Sequence, residues 1–119
     1  MDTTAERVAR NESAFRDANE RIEAAADGMT HLDEIPFICE CPIQTCTEIV
    51  RLTREEYEQV RSEGNWFWVV SGHEIATVDG VEIARVQDRR DGFTIMKKIG
   101  EAGAVAQELN PRRAVESGA

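Results

Sequence analysis

The stretch Phe37-Ile38-Cys39-Glu40-Cys41-Pro42-Ile43-Gln44-Thr45-Cys46 contains all three cysteines of the chain. Disulfides explain this cluster poorly, because three is an odd number and a bridge from Cys39 to Cys41 would close a strained, very small loop. Thiolates are strong zinc ligands, and a Cys3His site needs one further ligand from elsewhere in the chain. The cluster therefore predicts a zinc site.

Two histidines could supply the fourth ligand. His73 follows Gly72 at the end of a strongly apolar stretch, where we expect it to be held beside the core. His31 lies in a polar connector and is the alternative. The sequence thus predicts a closed, structural Zn2+ site with the ligands Cys39, Cys41, Cys46 and His73.

The spacing C-x-C-x4-C is less diagnostic than paired C-x-x-C motifs, so other interpretations stay open at this stage. The thiols could be ordinary core residues, or a redox switch that releases zinc on oxidation. If His73 does not bind, water could occupy the fourth position, with Glu74 or Glu40 as the base of a zinc enzyme. In a closed site, Glu74 is a candidate to support the ligands from outside the ligand set.

Composition limits the kind of protein that carries this site. A chain of 119 residues predicts one domain with a modest core, which a metal would help to stabilise. The net charge of −9, from 23 acidic and 14 basic side chains, makes direct nucleic-acid binding an unlikely function. The sequence has no apolar run long enough to cross a membrane and its first residues are polar, so we expect a cytoplasmic protein.

The N-terminal segment has the pattern of a long amphipathic helix. Thr3 or Thr4 can cap it, and Gly28 can end it. Its apolar residues recur at heptad spacing, which is typical of a helix that packs on its own domain, on a protein partner or on a second copy. The candidate partner contacts are Val8, Phe15 and Ile22, with Ala18, Ala25 and Met29 between and after them.

The remaining pattern predicts an α+β fold. We expect a zinc-knuckle hairpin, a short helix after the capping box that begins at Thr53, a small antiparallel sheet and a C-terminal helix from about Gly100. The stretch Trp66 to Val70 is the most apolar of the chain and predicts the central strand, with both tryptophans in the core. The expected division is a helix over 1–29, a zinc-stabilised core over 30–110 and a disordered tail over 111–119.

Several motifs together carry a family resemblance. They are Arg10-Asn11-Glu12, Asn19-Glu20-Arg21-Ile22, Phe37 to Cys41, Cys46-Thr47-Glu48, Leu52 to Glu58 and Gly72-His73-Glu74. With them the chain resembles, from about residue 5 to 112, a group of small uncharacterised bacterial proteins that are mainly actinobacterial. Members usually have proline where this chain has Ser71. The resemblance implies that the cysteines and the histidine form one site in a cytoplasmic protein, but it implies no reaction.

Taken together, the residues predict a non-enzymatic, zinc-stabilised protein-interaction or regulatory module. Its partner would be another protein, and a transcription-associated protein is one candidate. A homodimer formed through the N-terminal helix is compatible with this function.

Overall fold

The computed structural model of the chain describes residues 3–29, 33–43 and 45–113. Within them it confirms the α+β class, with helices at both ends of a set of antiparallel strands. The elements in chain order are α1 (Thr4–Ala26), β1 (Ile35–Ile38), β2 (Ile49–Leu52), α2 (Arg54–Arg61), β3 (Trp66–Val70), β4 (Thr77–Val78), β5 (Val81–Glu82), β6 (Ala84–Arg89), β7 (Phe93–Lys98) and α3 (Gly100–Glu108).

The strands form three antiparallel sheets: β1–β2, β4–β5 and a larger one of order β3-β7-β6. The prediction that Trp66–Val70 is the central strand is wrong, because β7 occupies that position. The apolar character of β3 has another cause. Its outer edge is covered by the cysteine segment, where Glu40 donates its backbone N–H to the carbonyl of Trp68 at 3.1 Å. An edge strand that is covered in this way is as buried as a central one.

Ile83 separates β5 from β6. The short β4–β5 hairpin turns at Asp79 and Gly80, which both have positive φ, as a two-residue hairpin of type I′ requires. Ile83 then turns into the core, where it is fully buried. A β-bulge between Val86 and Asp88 follows in β6.

Helix α1 buries a face that is apolar at its start and polar in its middle. Thr3 caps it by accepting a hydrogen bond from the Glu6 backbone N–H at 3.1 Å. Val8 lies in the protein's own core, so it is a core residue and not a partner contact. The other buried residues are Ala5, Ala9, Glu12, Ser13, Arg16, Asn19 and Ala26.

A buried ionic cluster lies between α1 and the larger sheet. The cationic groups of Arg16, Lys98 and Arg61 lie 4.8, 5.4 and 5.7 Å from the centre of the Phe67 ring. Two buried carboxylates neutralise part of this charge: Glu12 pairs with Lys98, and Glu40 pairs with Arg61. The cluster connects the elements that surround the cysteines.

Residues 111–113 of the tail expected over 111–119 are among the described residues. The Arg112 guanidinium bridges α1 and α2, because it pairs with Glu20 at 3.0 Å and with Glu58 at 2.7 Å. Residues 114–119 of the predicted tail lie outside the described residues.

Candidate metal centre

Cys39 and Cys41 follow β1 directly. Their sulfurs lie in one cluster, whereas the side chain of Glu40 between them contacts Asn19 and Arg61. The segment is fixed on both sides. Cys39 donates its N–H to the Glu48 carbonyl at 3.0 Å, and Glu40 donates its N–H to β3. The fold therefore holds these two thiols rigidly against the end of β3.

Cys46 is returned to the other two cysteines by a tight turn. Its backbone N–H donates to the carbonyl of Ile43 at 3.0 Å, which closes the loop that begins at Pro42. The loop then continues into β2, which pairs back onto β1. The hairpin predicted from the sequence thus brings the first and last cysteines to the same place.

His73 reaches the cysteines through a turn at the end of β3. Gly72 has φ +100°, a conformation that glycine adopts without strain, and His73 donates its N–H to the Val70 carbonyl at 2.9 Å. This turn directs the imidazole back over the end of the strand. Ser71 donates its N–H to the Gly92 carbonyl at 3.3 Å.

The four predicted ligands form one cluster. The possible ligand atoms of Cys39, Cys41, Cys46 and His73 all lie within 4.8 Å of one another. The Nδ1 atom of His73 is 3.7 Å from the Cys39 sulfur and 3.5 Å from the Cys46 sulfur. A tetrahedral zinc ion with Zn–S of about 2.3 Å and Zn–N of about 2.0–2.1 Å separates sulfur from nitrogen by about 3.6 Å. These residues could therefore hold a metal ion with little rearrangement.

The centre has a buried side and an accessible side. Cys39 and Cys41 are buried, whereas Cys46 and His73 are half-buried. Burial raises the pKa of the Cys39 and Cys41 thiols, because the thiolate loses its hydration. Backbone donors oppose this effect, and among them the Val70 N–H lies 3.3 Å from the Cys39 sulfur. A bound cation would outweigh the effect of burial and favour the thiolate form of the cysteines.

Glu74 supports the loop that carries His73. Its carboxylate accepts hydrogen bonds from the Gly72 N–H at 3.0 Å and from the Thr94 hydroxyl at 2.7 Å. The Thr94 hydrogen bond is the main reason that the pKa of Glu74 is lowered, and Arg89 contributes through its charge. Glu74 therefore ties the histidine loop to β7.

Glu40 belongs to the ionic cluster and faces away from the thiols. It is fully buried, and one carboxylate oxygen accepts hydrogen bonds from Arg61 at 2.5 Å and from the Trp68 N–H at 3.2 Å. The other oxygen accepts one from the Asn19 amide at 2.7 Å. A carboxylate held by so many donors is poorly placed to act as a base at the metal.

Sequence reasoning missed Asn19 and Arg61, which support the cysteine segment, and Thr94, which supports the histidine loop through Glu74. A signal existed for Asn19 alone, because asparagine in the middle of a helix is an unfavourable choice without a specific partner. His31, the alternative fourth ligand, lies outside the described residues.

No protein family, curated protein or solved structure matches the chain. The resemblance to actinobacterial proteins therefore stays a prediction. In the described parts of the chain, the helices are all too short or too polar to cross a membrane.

Proposed function

We propose that the protein binds one zinc ion through Cys39, Cys41, Cys46 and His73, and that this zinc stabilises a non-enzymatic interaction module. The observation that carries the proposal is the agreement between the sulfur-to-Nδ1 distances of 3.5 and 3.7 Å and the edge of a zinc tetrahedron. Three sulfur ligands and one nitrogen ligand suit zinc well, and they fill its usual coordination.

The role proposed for the metal is mechanical. The β1–β2 hairpin has only two strands, and such a hairpin is marginally stable by itself in water. Cys39, Cys41 and Cys46 belong to this hairpin, whereas His73 follows β3 of the larger sheet. An ion bound by all four residues would join the end of β1 to the end of β3, and thereby the hairpin to the larger sheet.

The acidic groups near the centre favour a structural role over an enzymatic one. Glu40 is engaged by Arg61, and Glu74 is engaged by Thr94 and the loop backbone. A zinc enzyme needs an open coordination position and a base that can reach it. With four protein ligands and both carboxylates committed elsewhere, the site fits the closed class.

A redox-sensitive version of the same site is the second candidate function. Cys46 is half-buried, whereas Cys39 and Cys41 are buried, so an oxidant such as hydrogen peroxide would reach Cys46 first. Zinc released in step with sulfenic acid formation at Cys46, at peroxide levels that leave the buried Cys39 and Cys41 unoxidised, would favour this function.

Elemental analysis of the purified protein tests the proposal. We expect one zinc per chain in the wild type and in His31→Ala, and much less in His73→Ala. Chelation should lower the melting temperature of the wild type strongly and that of His73→Ala little. Cobalt substitution should give the intense visible absorption of a tetrahedral thiolate site. A wild type without metal, or zinc unaffected by His73→Ala, would reject the closed Cys3His site.

A further inference from the structure

A second apolar face of α1 lies beside the buried one. Phe15, Ala18 and Ile22 are half-buried and Ala25 is exposed, and they follow one another at intervals of three and four residues. This spacing places them along one stripe of the helix surface. Ile22 packs on the core around Phe37, but the two core clusters found among the described residues do not include Phe15.

An apolar pocket opens at the C-terminal end of this stripe. It has a volume of about 210 Å³, and its lining is almost entirely apolar. An apolar cavity of about 150 Å³ is large enough to bind benzene, so this pocket can accept one phenyl ring. The lining residues are Ile22, Ala25, Ala26, Met29, Ile35 and Pro36.

The order of large and small residues in the stripe is self-complementary. Two antiparallel helices related by a two-fold axis midway between Ala18 and Ile22 would place each Ile22 against the partner's Ala18. The same axis places each Phe15 against the partner's Ala25, at the mouth of the pocket. Large side chains thus meet small ones in every layer, which is how helix surfaces interdigitate without voids. A parallel pair would instead place Phe15 against Phe15.

We propose that a second copy of this chain occupies the stripe, as an antiparallel α1–α1′ pair in which Phe15 of each copy enters the Ala25 pocket of the other. The exposed flank of the stripe carries Asp17 and Arg21, which are four residues apart and of opposite charge. The flank therefore adds no net charge to either helix, in a protein whose overall charge of −9 opposes association elsewhere.

The expected dimer is reversible. From Phe15 to Ala25 the helix rises about 15 Å, so the contact belongs among the smaller specific interfaces, below about 1,200 Å² in total. The pairing names the partner of the proposed interaction module. It rests on the proposed zinc site in one respect, since β1 of the metal-held hairpin supplies the pocket wall at Ile35 and Pro36.

The first test compares two exposed alanines of α1. Ala25→Glu places a charge in the Ala25 pocket, where Phe15 of the other copy would bind. Ala24→Glu places the same charge one residue away, off the stripe. Sedimentation equilibrium over a concentration series should show a dimer for the wild type and for Ala24→Glu. Loss of a central aromatic contact typically weakens an interface by about 30-fold or more, and we expect at least this for Ala25→Glu.

The second test is a size swap. Phe15→Ala should weaken the dimer by leaving the pocket empty, and Ala25→Phe should weaken it by opposing two aromatic rings. The double variant Phe15→Ala/Ala25→Phe should restore dimerisation, because each ring again meets an alanine. Restoration is expected only for the antiparallel register, so a double variant weaker than both single variants would overturn the proposal.

Zinc content measured on the same samples separates this inference from the proposed function. Zinc-loaded protein that stays monomeric at every concentration, or that dimerises equally well with Ala25→Glu, rejects the helix pair and keeps the metal site. A dimer without zinc that responds to both tests keeps the pair and rejects the metal site. Unchanged far-ultraviolet circular dichroism of each variant establishes that it is folded.

Discussion

The side chain of Asn19 pairs with the backbone of Ile38 as a neighbouring strand would. Its amide oxygen accepts the Ile38 N–H at 2.8 Å, and its amide nitrogen donates to the Ile38 carbonyl at 2.8 Å. One side chain of α1 thus satisfies both polar groups of β1 immediately before Cys39. The helix thereby fixes the position from which the cysteine segment starts.

We expect Asn19→Leu to destabilise the protein by about 2–4 kcal/mol, because a leucine of similar size leaves the buried Ile38 groups and Glu40 without a donor or acceptor. Urea unfolding of the zinc-loaded protein measures this loss. Ala24→Leu, at an exposed position of the same helix, is the control and should change stability by less than about 0.5 kcal/mol. Equal effects of the two substitutions would show that Asn19 has no special role.

The buried pair of Glu40 and Arg61 should respond strongly to the loss of one partner. Their side chains are 0% and 2% exposed, so Arg61→Met leaves a buried carboxylate without its counter-charge. We expect a cost of about 3–5 kcal/mol for Arg61→Met. The double variant Glu40→Gln/Arg61→Met should recover part of this loss. Denaturant unfolding of the two single variants and the double variant gives the coupling energy. If the stability losses of the single variants simply add in the double variant, the two side chains are not coupled.

Stability should depend on the ionisation of Glu12. Burial is the main reason that the pKa of Glu12 is raised, and a smaller contribution comes from the charge of Glu40, while Lys98 lowers it; the result is about 7 against an ordinary value of 4.5. Between these two values the folded protein holds more protons than the unfolded chain, so this contribution to stability falls as the pH rises from about 4.5 to about 7. Its slope is at most about 1.4 kcal/mol per pH unit.

The variant Glu12→Gln cannot ionise at position 12, and its amide oxygen keeps an acceptor for Lys98. Its stability relative to the wild type should therefore increase between pH 5.5 and 7, with Glu55→Gln at an exposed position of α2 as a control. The comparison between variants also removes any pH dependence that a bound metal would add, because it would be common to all of them. A constant difference over this range would show that Glu12 is ionised throughout.

Gly103 should tolerate a side chain poorly although it lies inside α3. Alanine normally stabilises a helix interior relative to glycine by about 1 kcal/mol. Here a Cβ on Gly103 would lie 2.7 Å from the Lys98 carbonyl oxygen, which belongs to the backbone and cannot easily move. We expect Gly103→Ala to lower the melting temperature and Gly28→Ala, which meets no atom within 4 Å, to leave it unchanged or raise it.

The Val70 amide should report the state of the centre. It donates to the Cys39 sulfur, which becomes a stronger acceptor as a metal-bound thiolate. Removing the metal by chelation should therefore shift the Val70 amide proton resonance far more than that of Val69, which faces Thr94 in the β3–β7 pair. Equal shifts at the two positions would indicate that chelation perturbs the strand and not this hydrogen bond.

Local patterns in the sequence predicted local structure well. The capping box of Thr53 and Glu56 is present at the start of α2, and α1 and α3 begin and end within a few residues of the expected positions. The three cysteines are brought together by contacts within their own short loop, which residue type and turn chemistry indicate. His73 joins them from 27 residues beyond Cys46, and its position after Gly72 at the end of an apolar stretch was the signal for it.

Long-range relationships could not be predicted in this way. Val8, Phe15 and Ile22 follow the apolar heptad pattern, but that pattern gave no sign that the buried face of α1 also contains Glu12 and Arg16. Glu12 meets Lys98, which is 86 residues away, so nothing near either residue indicates that its charge is neutralised. The strand order failed for the same reason, since β3 owes its apolar character to a segment that covers its edge.

The spacing of the four candidate ligands in the sequence has a consequence for the rate and order of folding. Three ligands lie in one short loop, and the fourth lies 27 residues beyond Cys46. An unfolded chain can therefore bind a metal ion through its cysteines before any sheet exists, at a small entropic cost of loop closure. Binding of His73 to the same ion would then close a longer loop and bring β3 to the hairpin. We expect zinc to accelerate refolding of the wild type, and to do so less in Cys41→Ser.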